Sequence, residues 1–425
     1  MSESQQVSRS ISIEPVWSGH RVGFALLTAG GQQFAAYYDA ERQMTVAQRG
    51  VGEDRWAFTR LDSRLGWDSH NYIAMAVDDA GCLHVSGNMH CVPLVYFRSE
   101  QPLEAVTLQR VETMVDAARE RRVTYPRFLR GPGGRLLFGY RDGESGRGDD
   151  YCNIYDLESR RWRALVDRPL ITGHMKMNGY FTAPQAGPDE LFHIVGVWRD
   201  HPNAESNHDL SYARSADMLH WQGADGRDIP LPLDVEHIDV VDPVPARGGL
   251  ANGNTVLGFD SSHRPMIAYN KYAADGTMQI FAARFEDARW TSRRVSDWQG
   301  YRWHLKGLGS LGYEVRVGAW GRDAQGRLTL AFRYPRQEGY WVLDERTLAV
   351  IETIEAGLNP LPSELRWVES PFAGMEKCFA LDCGKGVPGR RFMLVWESLG
   401  PNHDKPRAEP LPQPSMLRLA ELTPT

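Results

Sequence analysis

Cysteine is scarce and scattered: Cys82, Cys91, Cys152, Cys378 and Cys383 form no CxxC, which excludes a disulfide-stapled scaffold and a zinc ribbon. No stretch approaches the roughly 18 consecutive apolar residues that a membrane-spanning helix needs. The opening MSESQQVSRSISIEPVW also lacks the basic start and apolar core of an export signal. These absences set the expectation of a soluble chain in a reducing, cytoplasmic setting, or of a secreted or periplasmic one if a leader has been removed. Excess positive charge is missing too. The 48 Lys plus Arg stand against 54 Asp plus Glu, a formal net charge of -6. Bulk attraction therefore recruits no nucleic acid, and an acidic ligand must be met by a local cluster of cations. Helical periodicity is weak throughout, with residues 109–122 as the one candidate helix, read as an insertion over one face.

Turn formers and aromatics are plentiful: 41 Gly, 25 Pro, 13 Trp and 16 Tyr in 425 residues. They rise together when short strands alternate with tight turns, which indicates an all-β chain. A hairpin pattern recurs. NYIAMAVDDAGCLHVSGNMH turns at Asp78 to Gly81, and TYPRFLRGPGGRLLFGYRDG at Gly131 to Gly134. Further copies turn near Gly30, Pro188, Ser262, Gln325 and Gly389. Intervals of roughly 50 to 75 residues suit propeller blades of four strands better than helical solenoids. The expectation is a seven-bladed β-propeller of mostly four-stranded antiparallel blades, one domain over 1–425, with a polar, Pro-rich tail from about 401 to 425. Segments ending at Trp56, Trp162, Trp221 and Trp290 read as outer strands. SADMLHW, residues 215–221, is a degenerate Asp-box that stabilises a turn.

Positions equally far from a hairpin turn face each other, so offsets become neighbours. His70 then lies opposite His90, Tyr125 opposite Arg141, and Tyr180 near Trp198 and Arg199. In the later copies Asn254 faces Asn270 and Lys271, and Arg316 faces Arg333. All fall at one mouth of the ring. Two imidazoles, two phenols and several cations suit an anionic ligand, because Arg pairs bidentately with carboxylates and phenols bond to sugar oxygens. His84, inside its strand, reads as a structural histidine.

The runs WDSHN (67–71), GNMH (87–90), TYPRF (124–128) and GYRDGESGRG (139–148) resemble the BNR-4 repeat family, which includes propeller polysaccharide lyases such as the ulvan lyases. The resemblance implies an active site of His70, His90, Tyr125, Arg141 and Tyr180. Asn71, Arg199, Asn254, Lys271, Arg316 and Arg333 are the candidates for substrate binding. It also implies β-elimination at a 4-linked glucuronate or iduronate next to rhamnose, in an anionic oligosaccharide or polysaccharide. A histidine would take the C5 proton, Tyr125 would protonate the leaving oxygen, with exchange of these roles open, and Arg141 would neutralise the carboxylate. No cofactor is required; a structural calcium or zinc ion is compatible, with no ligand set assigned. The alternatives are an α-L-rhamnosidase or sialidase-like hydrolase, and a carbohydrate-binding propeller without catalysis.

Overall fold

A computed structural model describes residues 5–357 and 361–424. The chain is an all-β propeller of antiparallel, mainly four-stranded blades. Six sheets are each drawn from one local stretch, beginning with Ala25–Ala29, Gln32–Tyr38, Gln43–Gly50 and Ala57–Arg64, except that His90–Val92 leaves the second stretch to pair with Val123–Arg130 of the next sheet. The remaining sheet is composite: Met375–Leu381, Arg391–Leu399 and Ser415–Pro424 are completed by the N-terminal strand Gln5–Val16. The seven copies expected from the hairpin pattern are thus not equivalent, since the copy near Gly389 builds a sheet that both ends of the chain must complete. That pairing joins the two ends of the described chain in one sheet, and each blade keeps an inner and an outer edge strand.

The expected tail divides: residues 401–414 form no strand, and a strand follows. Ser415–Pro424 pairs on both sides, and Leu417, Leu419, Ala420 and Leu422 are buried. Residues 109–122 form no helix; Leu108–Arg110 is a short strand, and turns follow. The periodicity of this stretch is that of a helix, but Glu120 instead accepts bonds from the amides of Met114, Val115 and Asp116, which folds it into loops.

Hairpin turns set the register. Asp78 accepts bonds from the amides of Ala80 and Cys82, and Gly81 takes φ 87°, a conformation costly for other residues. The same side-chain cap recurs at Asp260 and Asp323. From the first of these turns Ile73 pairs with Gly87, and continuing the count brings position 70 opposite position 90. Interior strands such as Phe192–Arg199 are buried almost along their length, whereas the outer strand Val350–Glu355 is mostly exposed. Trp162, Trp221 and Trp290 lie on outer strands, and Trp56 directly precedes one. Ser215 and Asp217 cap the turn that buries Trp221. His84 is fully buried, bonded to the Tyr96 hydroxyl and Asp78, and burial holds its pKa below the ordinary value.

Candidate active site

The mouth formed by the hairpins 73–87, 123–144 and 178–199 carries a contiguous cluster. The His70 and His90 rings stack at 4.1 Å, and the His70 ring lies 5.6 Å from that of Tyr125. The Tyr125 and Tyr180 rings are 6.3 Å apart, and the Arg141 guanidinium sits 4.9 Å from the Tyr125 ring centre. Such spacings fall within the reach of a single sugar unit. Tyr125 owes its place to a bulge: Thr124, not Tyr125, pairs with Arg141, and the register slips before Arg127. Tyr125 takes φ 59°, a strained value for an aromatic residue, which turns its ring out of the pleat and towards the histidines.

Asp68, two residues before His70, organises the imidazoles. One carboxylate oxygen accepts from His70 Nδ1 at 2.7 Å and from the His70 amide at 2.8 Å. The other accepts from His90 Nδ1. A carboxylate can only accept, so both Nδ1 atoms carry a proton, and in the neutral form of either ring the lone pair lies on Nε2. Burial alone would raise the Asp68 pKa, but the bonds from His70 and His90 outweigh it and hold it well below the usual carboxylate range. These three residues place ligand atoms within 4.8 Å of one another. Ligands of a tetrahedral zinc ion stand about 3.3 Å apart, whereas His70 Nδ1 and Asp68 are at 2.7 Å. The His70 Nδ1–Asp68 spacing is that of a shared proton, and a zinc ion held by those two atoms would have to spread them.

Arg141 is the least satisfied member. It is 2% exposed, yet its polar contacts are a 3.4 Å bond to the Tyr180 hydroxyl and a 3.8 Å contact with Cys91 Sγ, and its Nε has no partner. Across the sheet it pairs with Asp150, which lines the same cavity of about 260 Å³ with Tyr72, Tyr125, Arg127 and Tyr180. Burial pushes the Asp150 carboxyl up to about 6 against the pull of Arg127 and Arg141. Burial and the neighbouring Tyr180 raise the Tyr125 phenol above its ordinary value, with Arg141 and Arg199 only partly opposing. Tyr125 therefore stays protonated at neutral pH.

The substrate-binding candidates divide. Arg199 belongs to the cluster: its guanidinium lies 4.6 Å from the Tyr180 ring centre and is held by Asn207 and Asn252. Arg316 stacks on Tyr313 at 4.0 Å, whose hydroxyl donates to the Asn252 carbonyl, so it borders the cluster. The others are placed elsewhere. Asn71 is buried, and its carbonyl accepts from the Tyr38 hydroxyl. Asn254 is used internally, donating to Asn270 and the Val315 carbonyl and accepting from the Val317 amide. Lys271 pairs with Asp242 and lies over Phe281. Arg333 does pair with Arg316 in register, but it lines a separate open cavity of about 740 Å³ with Glu314, Glu338 and Glu355. Matching strand offsets place a residue at a strand end; which face its side chain takes depends on bulges and neighbouring loops.

Three participants went unnoticed in the sequence. Asp68 sits within WDSHN at the spacing of an Asx turn, and Asp150 follows by applying the offset rule to the next hairpin, at Glu144 to Arg147. Asp404 had no local signal. Its carboxylate accepts from the amides of Ser69 and Ser310 and lies 3.5 Å from His70 Nδ1, tying a distant loop to the site.

A family model described as "BNR repeat-containing family member" matches residues 32–298, more than half of the sequence. This chain belongs to the BNR repeat-containing family. A comparison with curated proteins finds no match. Among solved structures, this BNR repeat chain is similar to polysaccharide lyase Uly1 at 12% identity and a TM-score of 0.64, covering 99% of this chain and 100% of that one. It is similar to an ulvan lyase of polysaccharide lyase family PL25 at 14% identity and a TM-score of 0.60, covering 93% and 94%. A PL25 ulvan lyase bound to GlcA(1-4)Rha3S matches at 13% identity with the same TM-score and coverage. At such identities the likeness establishes the propeller fold that this BNR repeat chain shares with them.

Proposed function

We propose that this protein is a carbohydrate-active lyase that cleaves a 4-linked uronic acid by β-elimination, with glucuronate or iduronate next to rhamnose as the preferred context. The observation that carries the reading is Arg141: a buried guanidinium, unpaired by any carboxylate at ion-pair distance among the described residues, beside two phenols and a carboxylate-held histidine pair. Burying such a charge is costly unless an anion completes it, and a uronate carboxylate is a planar partner of the right charge. The likeness to lyases, one of them bound to a glucuronate-containing saccharide, agrees with this choice of ligand.

Arg141 would hold the carboxylate and stabilise the charge that spreads into it as the C5 proton leaves. That proton goes to an Nε2 of the His70–His90 pair, where Asp68 keeps the lone pair available and steadies the imidazolium that forms. The C5–H electrons become the C4=C5 bond, the C4–O4 bond breaks, and O4 takes the proton of Tyr125, whose raised pKa keeps it a donor. Tyr180, held between Arg141, Arg199 and Ser145, positions the sugar. A hydrolase would call for two carboxylates about 5 to 9.5 Å apart, but among the cavity-lining residues Asp150 is the one carboxylate. The test is ultraviolet absorbance during incubation with rhamnosyl-glucuronate oligosaccharides. New unsaturation supports the lyase; rhamnose release without it favours a hydrolase; binding with neither favours a non-catalytic module.

A further inference from the structure

A second cavity, also of about 260 Å³, opens beside the candidate site and takes no part in the scheme above. One wall is the segment 302–306, in which Trp303 and Leu305 are buried in the core while Arg302, His304 and Lys306 are exposed. This alternation sends three basic side chains to one side of a strand-like segment whose apolar residues anchor it. Arg247 lines the same cavity, so three permanent cations and a histidine face a single carboxylate, Glu205, which stands 3.9 Å from Arg247. Among the described residues Arg302, His304 and Lys306 have no ion-pair partner. Arg302 is instead held over the Tyr272 ring at 4.4 Å, and the Tyr272 hydroxyl donates to the Trp303 carbonyl. Arg302 is thus mounted on a fixed frame, and the backbone of its segment is tied to the core through Tyr272, Trp303 and Leu305.

The two cavities share a wall. Leu250 faces this one and Asn252 the other, and two residues span at most about 7 Å. The wall is stiffened by Asn207, which donates to the Leu250 carbonyl and accepts from Arg199 of the candidate site. The basic segment continues into Gly307 and Ser310, which reach Asn203 and Asp404. The same loop therefore runs from the basic cavity to the histidine side of the cluster.

We infer that this cavity is a second anionic-sugar site, taking the carboxylate or sulfate ester of another unit in the chain whose uronate occupies Arg141. The inference rests on the lyase reading for the first unit and adds a preference for saccharides carrying more than one acidic group. Calorimetry with uronate-containing disaccharides and tetrasaccharides, sulfated and desulfated, tests it in a Tyr125→Phe background with and without Arg302→Ala plus Lys306→Ala. Both replaced side chains are exposed, so the fold is retained. Tetrasaccharide affinity should drop by about tenfold or more with the disaccharide unchanged. An effect surviving desulfation assigns the carboxylate; one lost assigns the sulfate. Equal affinities for the two lengths, or a double replacement without effect on the longer one, overturn the second site. Unsaturated product formed by the unmodified protein is scored separately, so the lyase reading and the second site can fail independently.

Discussion

Replacing Asp68 by Asn probes the proton arrangement without emptying the site. The amide oxygen can still accept from the His70 amide and from one imidazole, so the turn that presents His70 survives. The amide nitrogen must donate where a carboxylate oxygen accepted, which forces the other imidazole to carry its proton on Nε2 and removes that lone pair. The surviving bonds also lose their charge-assisted character, worth about 1.5 to 3 kcal/mol for a bond to an ionised group. If the reversed ring is the base, general base catalysis of about 10² to 10⁴-fold is lost. The expected result is a kcat reduced by about 10² to 10⁴ with KM little changed, read from the initial rate of ultraviolet unsaturation. A kcat within about threefold of the unmodified protein would refute the claim that Asp68 holds the catalytic base in its tautomer.

Other outcomes follow from the same contacts. Arg141→Ala should abolish turnover while thermal unfolding stays cooperative, and a normal rate would remove this residue from the site. Tyr125→Phe should lower kcat far more than KM; equal loss in both would point to a binding role alone. Asp150 has a folded pKa of about 6, above its unfolded value of 3.8, so its contribution to stability is full below pH 3.8 and is lost as pH rises through 6. Asp150→Asn should accordingly stabilise the protein at pH 8, by up to about 3 kcal/mol, and change little at pH 3.5, as measured by denaturant titration. Asp404→Ala should speed amide hydrogen exchange at Ser69 and Ser310 by about tenfold, and unchanged exchange would show that the carboxylate does not hold this loop.

Much of this arrangement is legible because a hairpin converts linear distance into proximity. The turns at Asp78, Gly131 and Asp323 are punctuated by Asp and Gly, and those positions brought His70 to His90 and Arg316 to Arg333. The bulge at Tyr125 leaves a weaker mark, for Tyr-Pro disrupts regular pairing without saying which way the ring will turn. Asn254 and Lys271 sit at strand ends but are drawn into neighbouring blades, Asn254 by the Val315 and Val317 backbone and Lys271 by Asp242. Such contacts depend on ring closure and have no signature within a single hairpin. Asp404 is the extreme case: it meets Ser69 across 335 positions because both ends of the chain complete one sheet.

The central claim is elimination at the Arg141 cluster, and the most direct measurement is the mass of the product formed in water enriched in heavy oxygen. Elimination breaks the C4–O4 bond without consuming solvent, so the account predicts an unsaturated uronate carrying no solvent oxygen. A saturated product bearing one heavy oxygen would mean hydrolysis and would contradict it.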